Sequence, residues 1–209
     1  MKRFAVFIIC FLTSVEALAG EIREFDVKTL QRLGNELTRV IQTPDRGATT
    51  AERKRARETA INALRGRLFS IRYDYVVLDD PDKSGFLVYA IGSSGKPGQF
   101  VLAGHRRVTI SADGRRAERV DALSQTLMIG DPRRDTPKGT TPAAAYMNQI
   151  VSNKPVETLI YIAHLMKQPI FVGTPDGRVW KVTGRGMSID TTKPGDTSPA
   201  AAAHKVFGR

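Results

Sequence analysis

Cysteine is almost absent from this 209-residue chain, where Cys10 stands alone. A single thiol excludes an intrachain disulfide and any zinc site built on several thiolates. Histidine is scarce as well: His105, His164 and His204 lie too far apart in sequence to form a pair at metal-ligand spacing such as H-x-x-x-H. No metal and no cofactor is therefore expected. Acidic residues are in deficit, with 21 Asp and Glu against 32 Lys and Arg, which leaves a formal charge of +11. Such an excess favours anionic partners. Long apolar runs are missing too. The run Phe4 to Leu12 has nine residues, far short of the roughly 20 that a membrane-spanning helix needs, so no transmembrane segment is expected in the mature chain.

What is present begins at the N-terminus. Lys2 and Arg3 precede that apolar run, and Ala17-Leu18-Ala19 follows it as an A-x-A cleavage pattern, so residues 1–19 read as a signal peptide. Cys10 lies inside the apolar run behind bulky Ile9, which does not suit lipid attachment. Removal of this segment takes away the cysteine together with Lys2, Arg3 and Glu16, so the mature chain from Gly20 carries +10. The expected location is the periplasm or the medium.

Val27, Leu30, Leu33, Leu37, Val40 and Ile41 recur at helical spacing and predict a helix over 26–42. After "TPDRGA", Thr49 with Glu52 three positions on reads as a capping box, and a second helix is expected over 50–68. The pair should form an αα-hairpin on one face of a sheet. From residue 71 the pattern becomes extended: "IRYDYVVLDD", "GFLVYAIG", "QFVLAG" and "RRVTIS" read as successive strands, with Asp113-Gly114 turning the last into a returning strand. "GDPRRDTPKGTTP" reads as loop. Thr141 as N-cap and Pro142 at the first helical position predict a short helix through "AAAYMNQIVS". "VETLIYIAHL" is apolar on both faces; we expect a buried strand, although the same run suits a helix. A hairpin turning at Pro175-Asp176-Gly177 follows, and 191–209 reads as a flexible tail. The sum is one α+β domain over 20–190: an N-terminal αα-hairpin packed on a mainly antiparallel sheet, with one short helix inserted. Trp180, Phe171, Tyr161, Tyr75 and Phe86 are expected in its core.

Catalytic motifs fail on inspection. "GSSGKPG" departs from a phosphate loop at Ala90 and Pro97. "DDPDKSG" places Asp80, Asp82 and Ser84 at alternate positions of a calcium loop, but Ile91 replaces the closing glutamate, so an acidic turn is the better reading. No G-x-S-x-G elbow accompanies a histidine. No catalytic residue is assigned, and the balance leans away from an enzyme.

The expected site is a basic patch. Helix 50–68 carries Arg53, Arg55 and Arg57, and "GHRRVTISADGRR" carries Arg106, Arg107, Arg115 and Arg116. Alternation with Val108 and Ile110 would send the strand arginines outward, into one charged rim. That stretch, together with "PVETLIYIAHLMKQPIFVGTPDGRVWKV", resembles a group of small exported proteins of Gram-negative bacteria with no assigned activity. The resemblance implies an exported α+β protein and transfers no functional residue. The reading is a periplasmic binding or interaction protein whose basic surface meets an anionic envelope component or an acidic protein, not nucleic acid. Two alternatives stand beside it: a hydrolase with a site around His105 or His164, and a secreted factor acting outside the cell.

Overall fold

A computed structural model describes Phe4–Ala5 and residues 21–131 and 141–191. The rest of residues 1–20, expected to hold a signal peptide, most of the charged loop (132–140) and residues 192–209 of the expected tail lie outside the described residues. Phe4–Ala5 bridges Thr141–Pro142 in parallel.

Helix α1 spans Val27–Val40, and the Asp26 side chain caps it by accepting from the Thr29 amide at 2.7 Å. Its buried face is the predicted stripe, with Leu30, Leu33, Leu37 and Val40 inside. Helix α2 spans Ala51–Ala63. Its cap is Thr50 rather than Thr49, since Thr50 Oγ1 accepts from the Arg53 amide. Its buried residues are small, Ala56 and Ala60, so the helix lies close on what it covers.

Four strands form the first sheet: β1 (Arg72–Asp79), β2 (Phe86–Ser93), β4 (Arg106–Ile110) and β5 (Ala117–Ala122), antiparallel in that order. Between them in sequence, β3 (Phe100–Ala103) pairs instead with β6 (Met128–Gly130) as a separate ribbon. The second sheet runs β10 (Gly186–Ile189), β9 (Val179–Thr183), β8 (Ile170–Gly173) and β7 (Ala145–Asn148). Here β7 and β8 are parallel, joined through α3 (Thr158–Met166). The fold is α+β on mainly antiparallel sheets.

Two expectations are corrected. The two N-terminal helices are consecutive but do not share a face of the sheet. α2 packs with Val77, Val88, Val108 and Ile110, whereas α1 packs with Val76, Leu78, Leu87 and Tyr89 on the opposite face. Adjacent strand residues point to opposite sides, and both sides of this sheet are apolar, so each helix takes one. The second correction is an exchange: the expected helix at 143–152 contains strand β7, and the expected strand at 156–165 is helix α3. A run apolar on both faces also suits a helix packed on several sides, and α3 packs against α1, the β3 ribbon and the second sheet, with its last turn exposed at His164 and Leu165. Tyr146 of β7 stacks on Phe171 of β8 at 5.4 Å, a cross-strand aromatic pair that a helix could not place.

Candidate functional site

The seven predicted arginines separate into three groups. Arg107 is the clearest correction: it is fully buried. Its face of β4 looks toward α3 rather than solvent, so alternation divides the strand between two covered faces. The guanidinium donates to Asp121 Oδ2 from Nε and Nη2 at 3.1 and 2.8 Å, and to Glu157 Oε1 from Nη1 at 2.7 Å. Tyr89 OH donates to the same Glu157 oxygen at 2.8 Å, and Arg107 also donates to the Arg23 carbonyl. Burial and the Glu157 charge push the Tyr89 phenol well above its usual value, so it stays a donor. Arg23 and Arg107 both lie over the Phe25 ring at 4.8 Å. This network ties the segment before α1, the first sheet and the start of α3 together. The space beside it is about 10 Å³, room for no substrate.

Arg106 and Arg53 are half-buried and held in place. Arg106 donates to the carbonyls of His105 and Ser124, both at 3.0 Å, and lies over Phe69. Arg53 donates to the carbonyls of Gly47 and Val77, and pairs with Asp79.

Of the remaining four, Arg55, Arg115 and Arg116 come together where the β4–β5 turn meets α2. The β4–β5 turn rests on α2: Arg55 Nε donates to the Asp113 carbonyl at 3.2 Å, and Thr59 Oγ1 donates to the Gly114 carbonyl at 2.8 Å. Gly114 has φ of +75°, and a Cβ there would sit 2.4 Å from the Glu52 carbonyl oxygen. Glycine is what allows the contact. Arg55 of the helix thus adjoins Arg115 and Arg116 of the hairpin, whereas Arg57 faces the α1–α2 loop, where its Nη1 donates to the Asp45 carbonyl at 3.3 Å. Arg106 and Arg107 sit at the far end of the same strand, paired with Ala122 and Asp121. Arg55 pairs with Glu52 and Arg116 with Glu118, while Lys54, Arg57 and Arg115 have no carboxylate at ion-pair distance among the described residues.

The histidines do not assemble a catalytic site. His105 is buried, its Nδ1 accepts from the Gly92 amide at 3.1 Å, and Nε2 lies 3.1 Å from the Val101 carbonyl, so that nitrogen carries the proton. Burial pushes its pKa down to about 4. It is neutral at pH 7, yet no lone pair remains for a base. His164 is exposed in the last turn of α3, and His204 lies outside the described residues. The acidic turn is filled by a cation of the chain itself: Arg23 donates to both Asp80 oxygens at 2.6 and 2.8 Å and to Asp82 at 2.9 Å.

Sequence reasoning missed a cavity of about 540 Å³. Its walls are the β3–β6 ribbon (Leu102, Ala103, Met128), the link after β5 (Leu123, Leu127), and the end of β7 with the start of α3 (Met147, Val156, Leu159). Its residues come from parts of the chain remote from one another, and β6 belongs to a stretch without periodicity. No charged side chain is among the described lining residues. Among the described residues no three His, Cys, Asp or Glu side chains converge as metal ligands would. Compared with known proteins, the chain matches no family model, no curated protein and no solved structure, so its function is argued from these residues.

Proposed function

We propose that this chain is an exported binding protein that meets an anionic component of the cell envelope with the cationic end formed by α2 and the β4–β5 turn. The observation that carries this is the seating of the Gly114 turn on α2, which joins two separate basic runs of sequence into one surface. Lys54, Arg57 and Arg115 make no ion pair among the described residues. Although Asp45 lies near Arg57 and Asp113 near Arg115, basic side chains outnumber acidic ones along this part of the chain, so a positive field reaches outward. The exposed positions of α2 are mostly polar (Glu52, Lys54, Glu58 and Asn62) and hold no large apolar side chain, which suits contact with a charged surface rather than insertion into a bilayer. The N-terminal Lys-Arg, apolar run and A-x-A pattern support export. The closed bonds of His105 argue against the hydrolase reading.

The test is co-sedimentation of purified protein with vesicles of acidic and of neutral phospholipid. Binding to acidic vesicles alone, falling as salt rises, is expected. At roughly 1 kcal/mol per surface charge, Lys54→Gln/Arg57→Gln/Arg115→Gln should weaken it by about two orders of magnitude. Binding indifferent to lipid charge, or unchanged in the triple variant, refutes the reading.

A further inference from the structure

The cavity behind the β3–β6 ribbon lies away from the cationic end and has its own chemistry. Its volume, about 540 Å³, falls within the roughly 300–1,000 Å³ of small-molecule sites. Most of its wall is aliphatic, and the aliphatic surface continues to the mouth, where Ile129 and Ile150 are 39% and 59% exposed. Branched aliphatic side chains left wet at the rim of an apolar cavity are a ligand-site signature.

The polar side chains buried in that wall are nearly all spoken for. Ser124 Oγ accepts from the Gly104 amide at 2.6 Å and donates to the Thr126 carbonyl at 3.0 Å. Gln149 donates to the Ser152 and Lys154 carbonyls, and its Oε1 accepts from the Val156 amide at 3.0 Å. His105 is closed on both ring nitrogens. Thr158 is the exception: it is fully buried, it lines the cavity, and its Oγ1 has no hydrogen-bond partner. A buried hydroxyl left unpaired costs about 1–3 kcal/mol, and a ligand oxygen that pairs with it recovers that penalty. An ionised ligand would find no counter-charge among the described lining residues, and burying an unpaired charge is far more costly still.

We propose that this cavity binds an uncharged, largely aliphatic small molecule bearing one hydrogen-bonding oxygen, of the fatty-alcohol or neutral acyl class, with Thr158 Oγ1, closed off from the cavity in this structure, turning about its Cα–Cβ bond to become the polar anchor. The aliphatic body fills the space between Leu102, Leu127, Met147 and Leu159, and the oxygen lies at the N-terminal end of α3.

The experiment uses N-phenylnaphthylamine, an uncharged fluorophore that brightens in apolar cavities, with decanol, decanoate and decyltrimethylammonium as competitors. Saturable brightening is expected, with decanol displacing the probe at tenfold lower concentration than either charged analogue. Thr158→Val removes the hydroxyl at nearly constant shape. It should keep probe binding and, by removing an unpaired buried hydroxyl, raise the melting temperature, while weakening decanol about three- to tenfold, the range for one hydrogen bond. Ala103→Phe, which fills the cavity, should abolish probe binding in a folded protein. No saturable brightening, equal displacement by a charged analogue, or unaltered decanol affinity in Thr158→Val overturns the proposal. The triple variant at the cationic end should bind the probe as wild type does, which separates this site from the envelope contact.

Discussion

Arg107 shows how far a residue's role depends on what covers it. With Asp121, Glu157 and the Arg23 carbonyl around it, the guanidinium is matched by two carboxylates and a backbone acceptor inside the protein. Removing one side of a buried ion pair leaves the other uncompensated, at about 3–5 kcal/mol. Arg107→Met should therefore lower stability by that order in denaturant titration, whereas Arg115→Gln, at an exposed position, should stay within about 0.5 kcal/mol. An equal effect of the two would refute the network's role. The sequence held a partial clue: Asp121 lies at the mirror position of Arg107 about the Gly114 turn, and register makes them direct neighbours. Glu157 inside the run "VETLIYIAHL" was the other. Alternation alone sorts residues between two faces and carries no information on which face meets water.

At the scale of elements, the α2–turn contact rests on one glycine. Gly114→Ala adds a methyl group against the Glu52 carbonyl at a positive φ, so the turn must lift from the helix. Stability should fall by more than about 1 kcal/mol, and the two basic runs should part, weakening acidic-vesicle binding although no charge has changed. Retained vesicle binding in the folded variant would show that the seating of the turn is irrelevant to it. The stripe of α1 was readable because it faces one layer, and β1, β2, β3, β4 and the β9–β10 region lie where β-branched and aromatic runs bounded by turn residues place them, although β2 and β4 are covered on both faces. The exchange of helix and strand between 143 and 165 was not readable, because both segments are enclosed on more than one side and period then ceases to discriminate. Pro142 suggested a helix start, yet the pairing of β7 with β8 across 25 residues outweighed that local preference. The cationic end was legible in composition and the cavity was not, since β6 and the loop after β7 carry no period and only tertiary packing joins them.

For the molecule as a whole, acid should act through His105. Its folded pKa of about 4 lies below the ordinary 6.5 because burial penalises the imidazolium. Between those values the unfolded chain binds a proton that the native state excludes, so unfolding is favoured as pH falls from 6.5 toward 4. The shift corresponds to about 3 kcal/mol, fully present as stability above the unfolded value. His105→Gln, which keeps one acceptor and one donor, should flatten the melting temperature across that window, and an unaltered slope would assign the acid sensitivity elsewhere. The same buried chemistry orders the assembly in time. Arg107 and Tyr89 precede Glu157 by 50 and 68 residues, and α1 precedes α3 by more than 100. A chain emerging from its N-terminal end can close the hairpins of the first sheet by local contacts, but its inner face keeps a hydrated guanidinium until α3 arrives. Folding is then committed late, by a single docking step that dehydrates charge and apolar surface together, and a chain halted before residue 157 should remain open on that face.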